Sequence, residues 1–346
     1  MTVDIVKTLE GKYKEIVIVP NVKSPGKGGA LRTIFELMIQ LSEARALILI
    51  DSDLRSITPE WIALLGCGAL DYDLVTPVYQ RHKYDATITN FIARPLTTML
   101  YGLDIKQPIG GDFGLSRRLV KLLADSPLWT AHPWFYLFGV DIFITHTALA
   151  NNMKIAEAQL KAKIHEAKDP SIKLGNMFKE VTGALFTLMF EYEDAWSSNI
   201  PQSITSPPLL DEPKVPSMKA WEVQVSIENI KRRFMKGLEE FKKYYEKILD
   251  KEIVGKLYQG DVVKNGIDSE LWIYMLFDYA TVYKREYNTS RRIRILESLL
   301  PLWQGRLYNY IINVANLDDE EASKIIEMEC REYFKRRNDF ITKYLG

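Results

Sequence analysis

Ala46-Leu-Ile-Leu-Ile50 runs straight into Asp51-Ser52-Asp53, and this stretch decides the fold class. The apolar run is strand length, far short of the ~18 residues of a membrane span. It does not alternate with polar residues, which predicts a strand buried on both faces. Upstream, Leu31, Ile34, Leu37, Met38 and Leu41 form a helical stripe within Ala30 to Glu43. Before it, Glu15-Ile-Val-Ile-Val19, closed by Pro20-Asn21, predicts another strand. Strand, helix and strand at this spacing make a βαβ unit, so a mostly parallel α/β sheet with right-handed crossovers is expected. Downstream, Thr58-Pro59-Glu60 opens a helix. Leu74 to Tyr79 and Ile155 to Ile164 predict further strands.

The texture changes near residue 200. Residues 201–219 hold five prolines and no periodic pattern, as in a linker or an extended strap. Beyond them Ile227, Ile230, Phe234, Leu238, Phe241, Tyr245 and Ile248 step by three and four. Further helical blocks cover Leu271 to Ala280 and Arg294 to Val314. The expected division is therefore 1–200 as an α/β domain, 201–219 as linker and 220–346 as a helical C-terminal domain. The helical stripe suits packing within the chain better than a coiled coil. Trp221, Trp272 and Trp303 in this region are compatible with a homodimer.

Composition sets outer bounds. Among 346 residues, 45 Lys and Arg balance 45 Asp and Glu. No basic field or stripe is present, so neither nucleic acid nor an anionic membrane surface is an expected partner. The N-terminus has neither the basic nor the apolar region of a secretory signal. Cys67 and Cys330 are too few for a disulfide framework or a four-ligand zinc site. These bounds describe a soluble, cytoplasmic protein.

Asp51 and Asp53 stand at the carboxyl end of a strand, the edge of an open α/β sheet where ligands bind. One carboxylate can hold Mg²⁺ or Mn²⁺ while its neighbour bonds a ribose or a metal-bound water. A plain turn is the alternative. A second Asp-x-Asp, Asp71-Tyr72-Asp73, lies before a strand, where solvated turn carboxylates are expected. Gly26-Lys27-Gly28-Gly29-Ala30 precedes a helix and fits either a phosphate-binding turn or a flexible one; it lacks the P-loop spacing. Gln107-Pro-Ile-Gly110-Gly111-Asp112-Phe113-Gly114 suits a sugar or acceptor lying close to the backbone, with Asp112 accepting from hydroxyls. Asp141, at the start of the helix Ile142 to Leu149, reads as a carboxylate stabilised by the helix dipole. His82, His132, His146 and His165 show no zincin spacing, and no Gly-x-Ser-x-Gly elbow is present.

Taken in order, Gly-Lys-Gly-Gly-Ala-Leu (26–31), Asp-Ser-Asp-Leu-Arg (51–55), Ala-Arg-Pro-Leu (93–96), Gln-Pro-Ile-Gly-Gly-Asp-Phe-Gly (107–114), Phe-Gly-Val-Asp-Ile (138–142) and Ile-His-Glu (164–166) resemble retaining GT-A glycosyltransferases. The similarity is to glucosyl-3-phosphoglycerate and glucosylglycerate synthases and, more distantly, mannosylglycerate synthase. The stretch 271–306 is similar to the helical tail of glucosylglycerate synthases. The resemblance implies a GT-A fold with a helical extension. It further implies transfer of a hexose, glucose favoured, from a UDP-, GDP- or ADP-hexose to a glycerate-type acceptor, as in compatible-solute synthesis. It assigns Asp53 and His165 to Mg²⁺ or Mn²⁺. Lys27, Asp51, Ser52, Ile109, Gly110 and Gly111 go to the donor, Thr87, Thr89 and Arg94 to the acceptor, and Asp112 and Asp141 to the reacting centre. No carboxylate is an evident covalent nucleophile, so a front-face displacement is expected.

Two departures shape the expectations. Thr87 and Thr89 occupy positions where the phosphoglycerate enzymes carry an arginine and a threonine for the acceptor phosphate. Without that bidentate partner, D-glycerate is the expected acceptor over 3-phosphoglycerate, with Arg81, His82 or Lys83 able to compensate. The chain also opens at what resembles a later helix (Val3 to Leu9), so about 60 residues of two strand–helix units are expected to be missing. The competing expectations are a GT-A enzyme with another acceptor, such as a polysaccharide or lipid, and a truncated non-catalytic paralogue acting as a binding or assembly module.

Overall fold

The computed structural model of the chain describes residues 7–8, 12, 15–21, 23–165, 174–198 and 200–346. The expected helix Val3 to Leu9 lies outside them apart from Lys7 and Thr8. Residues 15–19 do not form a strand, so the first half of the expected βαβ unit does not form. Val17 is instead largely exposed. The chain enters the fold at helix α1 (Lys27–Gln40), then strand β1 (Ala46–Leu49), helix α2 (Pro59–Asp71) and strand β2 (Leu74–Gln80). A π-helical turn, Thr89–Ala93, leads into α3 (Arg94–Tyr101). Strand β3 (Phe113–Ser116), α4 (Arg117–Ala124), α5 (Val140–Ala150), strand β4 (Ile155–Ala162) and α6 (Gly175–Glu191) follow.

Among the described residues five strands form one sheet in the order β1-β3-β2-β4-β5, where β5 is Leu209–Leu210. Pairings β1–β3 and β3–β2 are antiparallel; β2–β4 and β4–β5 are parallel. The sheet is thus mixed, an α/β sheet flanked by helices. Because β1 is an edge strand its residues are mostly half-buried, not covered on both faces as the apolar run predicts. The proline-rich stretch is a strap. Leu209 and Leu210 extend the sheet edge, and Val215 packs with Trp61, Leu64 and Leu65.

A bulge interrupts β2–β4: Val78 pairs with Gln159 but Tyr79 with Lys161. Lys161 takes a left-handed φ of 61° there. An extra residue at a strand end re-aims the side chains that follow. Beyond the bulge Ile164 N–H donates to Ser56 Oγ at 3.0 Å, and Arg55 N–H to Ile164 O at 2.8 Å. These bonds hold His165 beside the turn that carries Asp53. Asp73 is not solvated as expected. It is buried, accepting from Ser116 Oγ (3.0 Å) and Lys154 N–H (3.0 Å) to join three elements.

The C-terminal region folds on the first part of the chain. Helix α7 (Ile227–Glu240) ends its stripe at Phe241, where a second short helix, Lys242–Ile248, begins. It packs against the long α9 (Thr289–Val314), which carries Pro301 inside it. A Cβ on Gly237 would lie 2.1 Å from Pro301 Cβ, and one on Gly305 would lie 2.6 Å from Phe234 Cε2. The two helices meet through these small residues. Between them in sequence runs α8 (Ser269–Arg285); α10 (Asp319–Lys335) and α11 (Arg337–Leu345) complete the chain. Trp272 and Trp303 are core residues. Their burial removes them from any dimer contact and leaves only Trp221, capped by Arg55, at the surface. Among the described residues no helix is long and apolar enough to cross a membrane.

Two predictions follow from this packing. Gly237→Ala should lower stability by about 1–3 kcal/mol despite alanine's better helix propensity, because the Pro301 ring cannot move aside; the urea midpoint reads this. Glu157 is buried on β4, and burial pushes its carboxyl up to about 7. A raised acid pKa gives stability that is present below the unfolded value of 4.5 and lost as pH rises through 7. Denaturation midpoints across that window should fall for the native chain and stay level for Glu157→Gln.

Candidate active site

The site grows from the carboxyl end of β1. Asp51 N–H donates to Asp112 Oδ1 at 2.8 Å, fixing the turn after the strand. Gly111, at φ 84°, leaves room for the Asp51 carboxylate, since a Cβ there would sit 2.4 Å from Asp51 Oδ2. Any other residue at 111 would displace the acid. Thr145 Oγ1 donates to Pro108 O at 2.7 Å and anchors the loop from the α5 side.

Two lysines hold the carboxylates. Lys27, the first residue of α1, donates to Asp51 Oδ1 at 3.0 Å and Asp141 Oδ2 at 2.9 Å. Lys163, just beyond the bulge, donates to Asp51 Oδ2 (2.9 Å), Asp112 Oδ2 (2.8 Å) and Gly110 O (2.8 Å). Tyr79 OH donates to the remaining face of Asp112 Oδ2. Burial works against ionising Asp51, but Lys163 and then Lys27 outweigh it and hold the acid well below the usual carboxylate range. Burial likewise opposes the Lys27 charge, yet Asp141 and Asp51 raise its pKa. Asp141 goes the other way: burial pushes its carboxyl up, with Lys27 opposing. Its Oδ1 is buried without a partner.

A cavity of about 570 Å³ opens over this cluster. Of the expected residues, Lys27, Asp51, Ser52, Asp53, Thr87, Thr89, Ile109, Gly110, Asp141 and His165 all line it. Thr87 Oγ1 is a buried hydroxyl with no partner. Three expected residues stand apart. Gly111 is packed beneath Asp51, and Asp112 is fully buried as the support of Asp51 and Lys163, so its carboxylate cannot touch a substrate. Arg94 turns away because Asp104 takes its guanidinium in a fork, at 2.7 and 2.9 Å. The glycines of the turn serve close packing: Gly28 and Gly29 abut Phe135 O and Ser24 O so closely that a Cβ would lie 1.8 Å away, while Lys27 and Ala30 of the same turn line the cavity.

Sequence reasoning missed Lys163 and Asp85, and named Arg81 only as a stand-in for the acceptor's arginine. Asp85 Oδ2 accepts from Arg81 Nη1 at 2.8 Å and lies 3.9 Å from His165 Nε2. The next residue, Ala86, takes a left-handed φ of 55°, a strained backbone of the kind found beside functional sites. Lys163 sits two residues before His165, and only the bulge turns it inward. The remaining histidines are elsewhere. His146 is buried against Thr97, with its pKa pushed down to about 3 by burial, and His132 is pushed down to about 4 by burial and Arg292.

Residues 13–185 match the family described as mannosylglycerate synthase, GT domain, which is half of the chain. This chain belongs to the mannosylglycerate synthase GT-domain family. A mannosylglycerate synthase of Selaginella moellendorffii is 27% identical over 176 residues, covering 48% of this chain and 40% of that protein. The chain therefore spans well under two thirds of that relative. Two solved structures of glucosyl-3-phosphoglycerate synthase from Mycobacterium tuberculosis are also similar. One, in complex with Mn²⁺, UDP-glucose and glycerol 3-phosphate, is 26% identical with a TM-score of 0.37, covering 49% of this chain and 56% of that one. The other, in complex with UDP, is 24% identical with a TM-score of 0.37, covering 51% and 57%. The matched residues carry strands β1 to β4, while β5 and the helical C-terminal region lie beyond the match.

Removing Lys163 leaves fully buried Asp112 beside half-buried Asp51 with too little compensation. Lys163→Met should cost about 3–5 kcal/mol at pH 7, while Lys163→Arg retains most of the stability. Equilibrium denaturation measures both.

Proposed function

We propose that the chain is a retaining hexosyltransferase that moves a hexose, glucose favoured, from a nucleotide-sugar to D-glycerate, with 3-phosphoglycerate as the alternative acceptor. One observation carries this reading. In a member of this family, residues from stretches as distant as Lys27 and His165 line a single cavity at a strand end. The division of labour we propose gives 1–200 the transfer chemistry, 201–219 the role of strap and 220–346 the support of the site.

A divalent ion fits the residues present, though only jointly with the donor. Among the described residues no group of three or more His, Cys, Asp or Glu side chains is arranged to hold a metal. Asp53 and His165 do line the same cavity. Mg²⁺ is commonly held by one or two carboxylates plus substrate phosphates, and an imidazole admits Mn²⁺ as well. The charge balance argues the same way: among the described lining residues Lys27, Arg81 and Lys163 face Asp51, Asp53, Asp85 and Asp141, so a bare diphosphate meets no excess of positive charge. When bound, the ion would neutralise the diphosphate as it departs.

The chain's own residues supply the rest. Lys27 exchanges a carboxylate for the nucleotide, and Asp51, kept ionised by Lys163, accepts from the ribose or faces the diphosphate. Asp141, freed of Lys27, accepts from a hydroxyl of the sugar or acceptor through its unpartnered oxygen. Thr87 and Thr89 offer hydroxyls, not a guanidinium, to the acceptor, which favours an uncharged terminus over a phosphate.

Calorimetry of UDP and GDP, with and without Mn²⁺, tests the reading. Metal-dependent binding is expected, lost in Asp53→Ala and in His165→Ala; no binding by a folded chain would overturn it. With donor bound, Asp141→Asn should lower kcat about 10²–10³-fold. D-glycerate should be the better acceptor, and Thr87→Arg should shift kcat/KM toward 3-phosphoglycerate by tenfold or more.

A further inference from the structure

A second cavity, of about 500 Å³, lies on the other side of the 81–86 loop. Its walls are the end of β2, the loop itself, Lys106 and Gln107, residues 218–220, and the first turns of α10. That volume is typical of a small-molecule site. Arg81, Asp85 and Ala86 line both cavities, so an occupant of one touches the wall of the other.

Most of the cations in this cavity are already engaged. Arg94 is held in a fork by Asp104, which also accepts from Lys106 Nζ at 2.6 Å. Arg81 pairs with Asp85. Lys83 Nζ donates to the carbonyls of Val314 (3.0 Å), Ala315 (2.9 Å) and Leu317 (2.6 Å). Lys219 is exposed at the rim. On the opposite wall stand Asp319, Glu320 and Glu327. A phosphate or carboxylate entering here finds Arg81, Lys83, Arg94 and Lys106 engaged, with Lys219 at the rim, and faces Asp319, Glu327 and Glu320, the last paired with Lys324.

What is left over is neutral hydrogen-bonding capacity. Gln107 is 7% exposed, and its Oε1 is a buried acceptor with no partner. Arg81 Nε is a buried donor with no partner. Both residues line the cavity, together with the rings of Tyr79 and Tyr310. Unpaired buried groups carry a cost that a ligand supplying both donors and acceptors removes. Hydroxyls do both, and carboxylates such as Glu327 accept from them without needing a counter-charge.

We propose that this second cavity binds a neutral polyhydroxylated ligand of hexose size, a pyranoside. The assignment rests on the lining of this cavity alone and not on the transfer reaction. Its position makes it a subsite from which a sugar contacts the Arg81–Asp85 pair at the edge of the first cavity.

Methyl α-D-glucopyranoside, titrated into the full chain by saturation-transfer NMR, is the probe; D-glycerate and inorganic phosphate are run beside it. The glycoside should bind, and Ser323→Trp, which fills the cavity from the exposed side of α10, should weaken it at least tenfold. Gln107→Leu, which removes the unpaired acceptor, should weaken it as well. UDP binding in the first cavity should be the same in Ser323→Trp as in the native chain. Circular dichroism confirms that each variant is folded, and Gln107→Leu decides if Ser323→Trp is not. Binding of phosphate in place of the glycoside would overturn the proposal. So would no glycoside binding, or glycoside binding that both variants leave intact and Asp141→Asn abolishes.

Discussion

Lys163 is the point on which the site depends. Its ammonium joins the β1 turn through Asp51, the glycine loop through Gly110 O and the β3 entry through Asp112. Those segments are distant in sequence and would repel one another as bare acids. A buried charge is costly unless every partner is satisfied, and here three oxygens at 2.8–2.9 Å satisfy it. Tyr79 completes the shell from below and gives Asp112 its last donor. The result is a rigid floor on which Asp51 stays ionised. The one soft member is Asp141, raised by burial and bonded by Lys27 on one oxygen, with Lys163 a more distant cation.

The helical C-terminal half supports this floor from behind. Trp272 Nε1 donates to Phe91 O at 2.9 Å, at the π-helical turn beside the cavity. Arg337 donates to Met99 O and Trp196 O at 3.0 and 2.6 Å, joining α11 to α3 and to the end of the short helix after α6. The Arg306 guanidinium lies 4.8 Å over the Phe91 ring and pairs with Glu329. One hydrophobic cluster runs from Phe35 to Tyr344 through both halves of the sequence. The change of texture near residue 200 therefore marks a change in secondary structure within one continuous core.

Much of the site was legible because its residues sit at punctuation in the sequence. Asp51 ends an apolar run, Lys27 opens a helix among glycines, Asp141 starts a helix, and His165 ends a strand. Periodicity located the helices for the same reason: Ile230, Phe234, Leu238 and Tyr245 face the core they were expected to face. What was not legible depends on geometry that pattern does not carry. A bulge at Leu160 and Lys161 decides which lysine turns inward. Asp104, ten residues from Arg94, decides that the arginine serves structure. The strand expected at 15–19 has the right composition but no neighbour in the sheet among the described residues, and composition alone does not supply one.

The bonds from Lys83 to the end of α9 have a dynamic consequence. A loop that forms two cavity walls would ordinarily open and close by itself, on the timescale of local fraying. Here the backbone of Lys83 also accepts from Tyr310 OH and donates to Asp319, so this residue is fastened through both its carbonyl and its amide to the helical half. Opening this loop means parting it from α9 and α10 together. Local opening at Lys83 is therefore coupled to the helical half, and its amide should exchange with those of α9 and α10 instead of as a free loop.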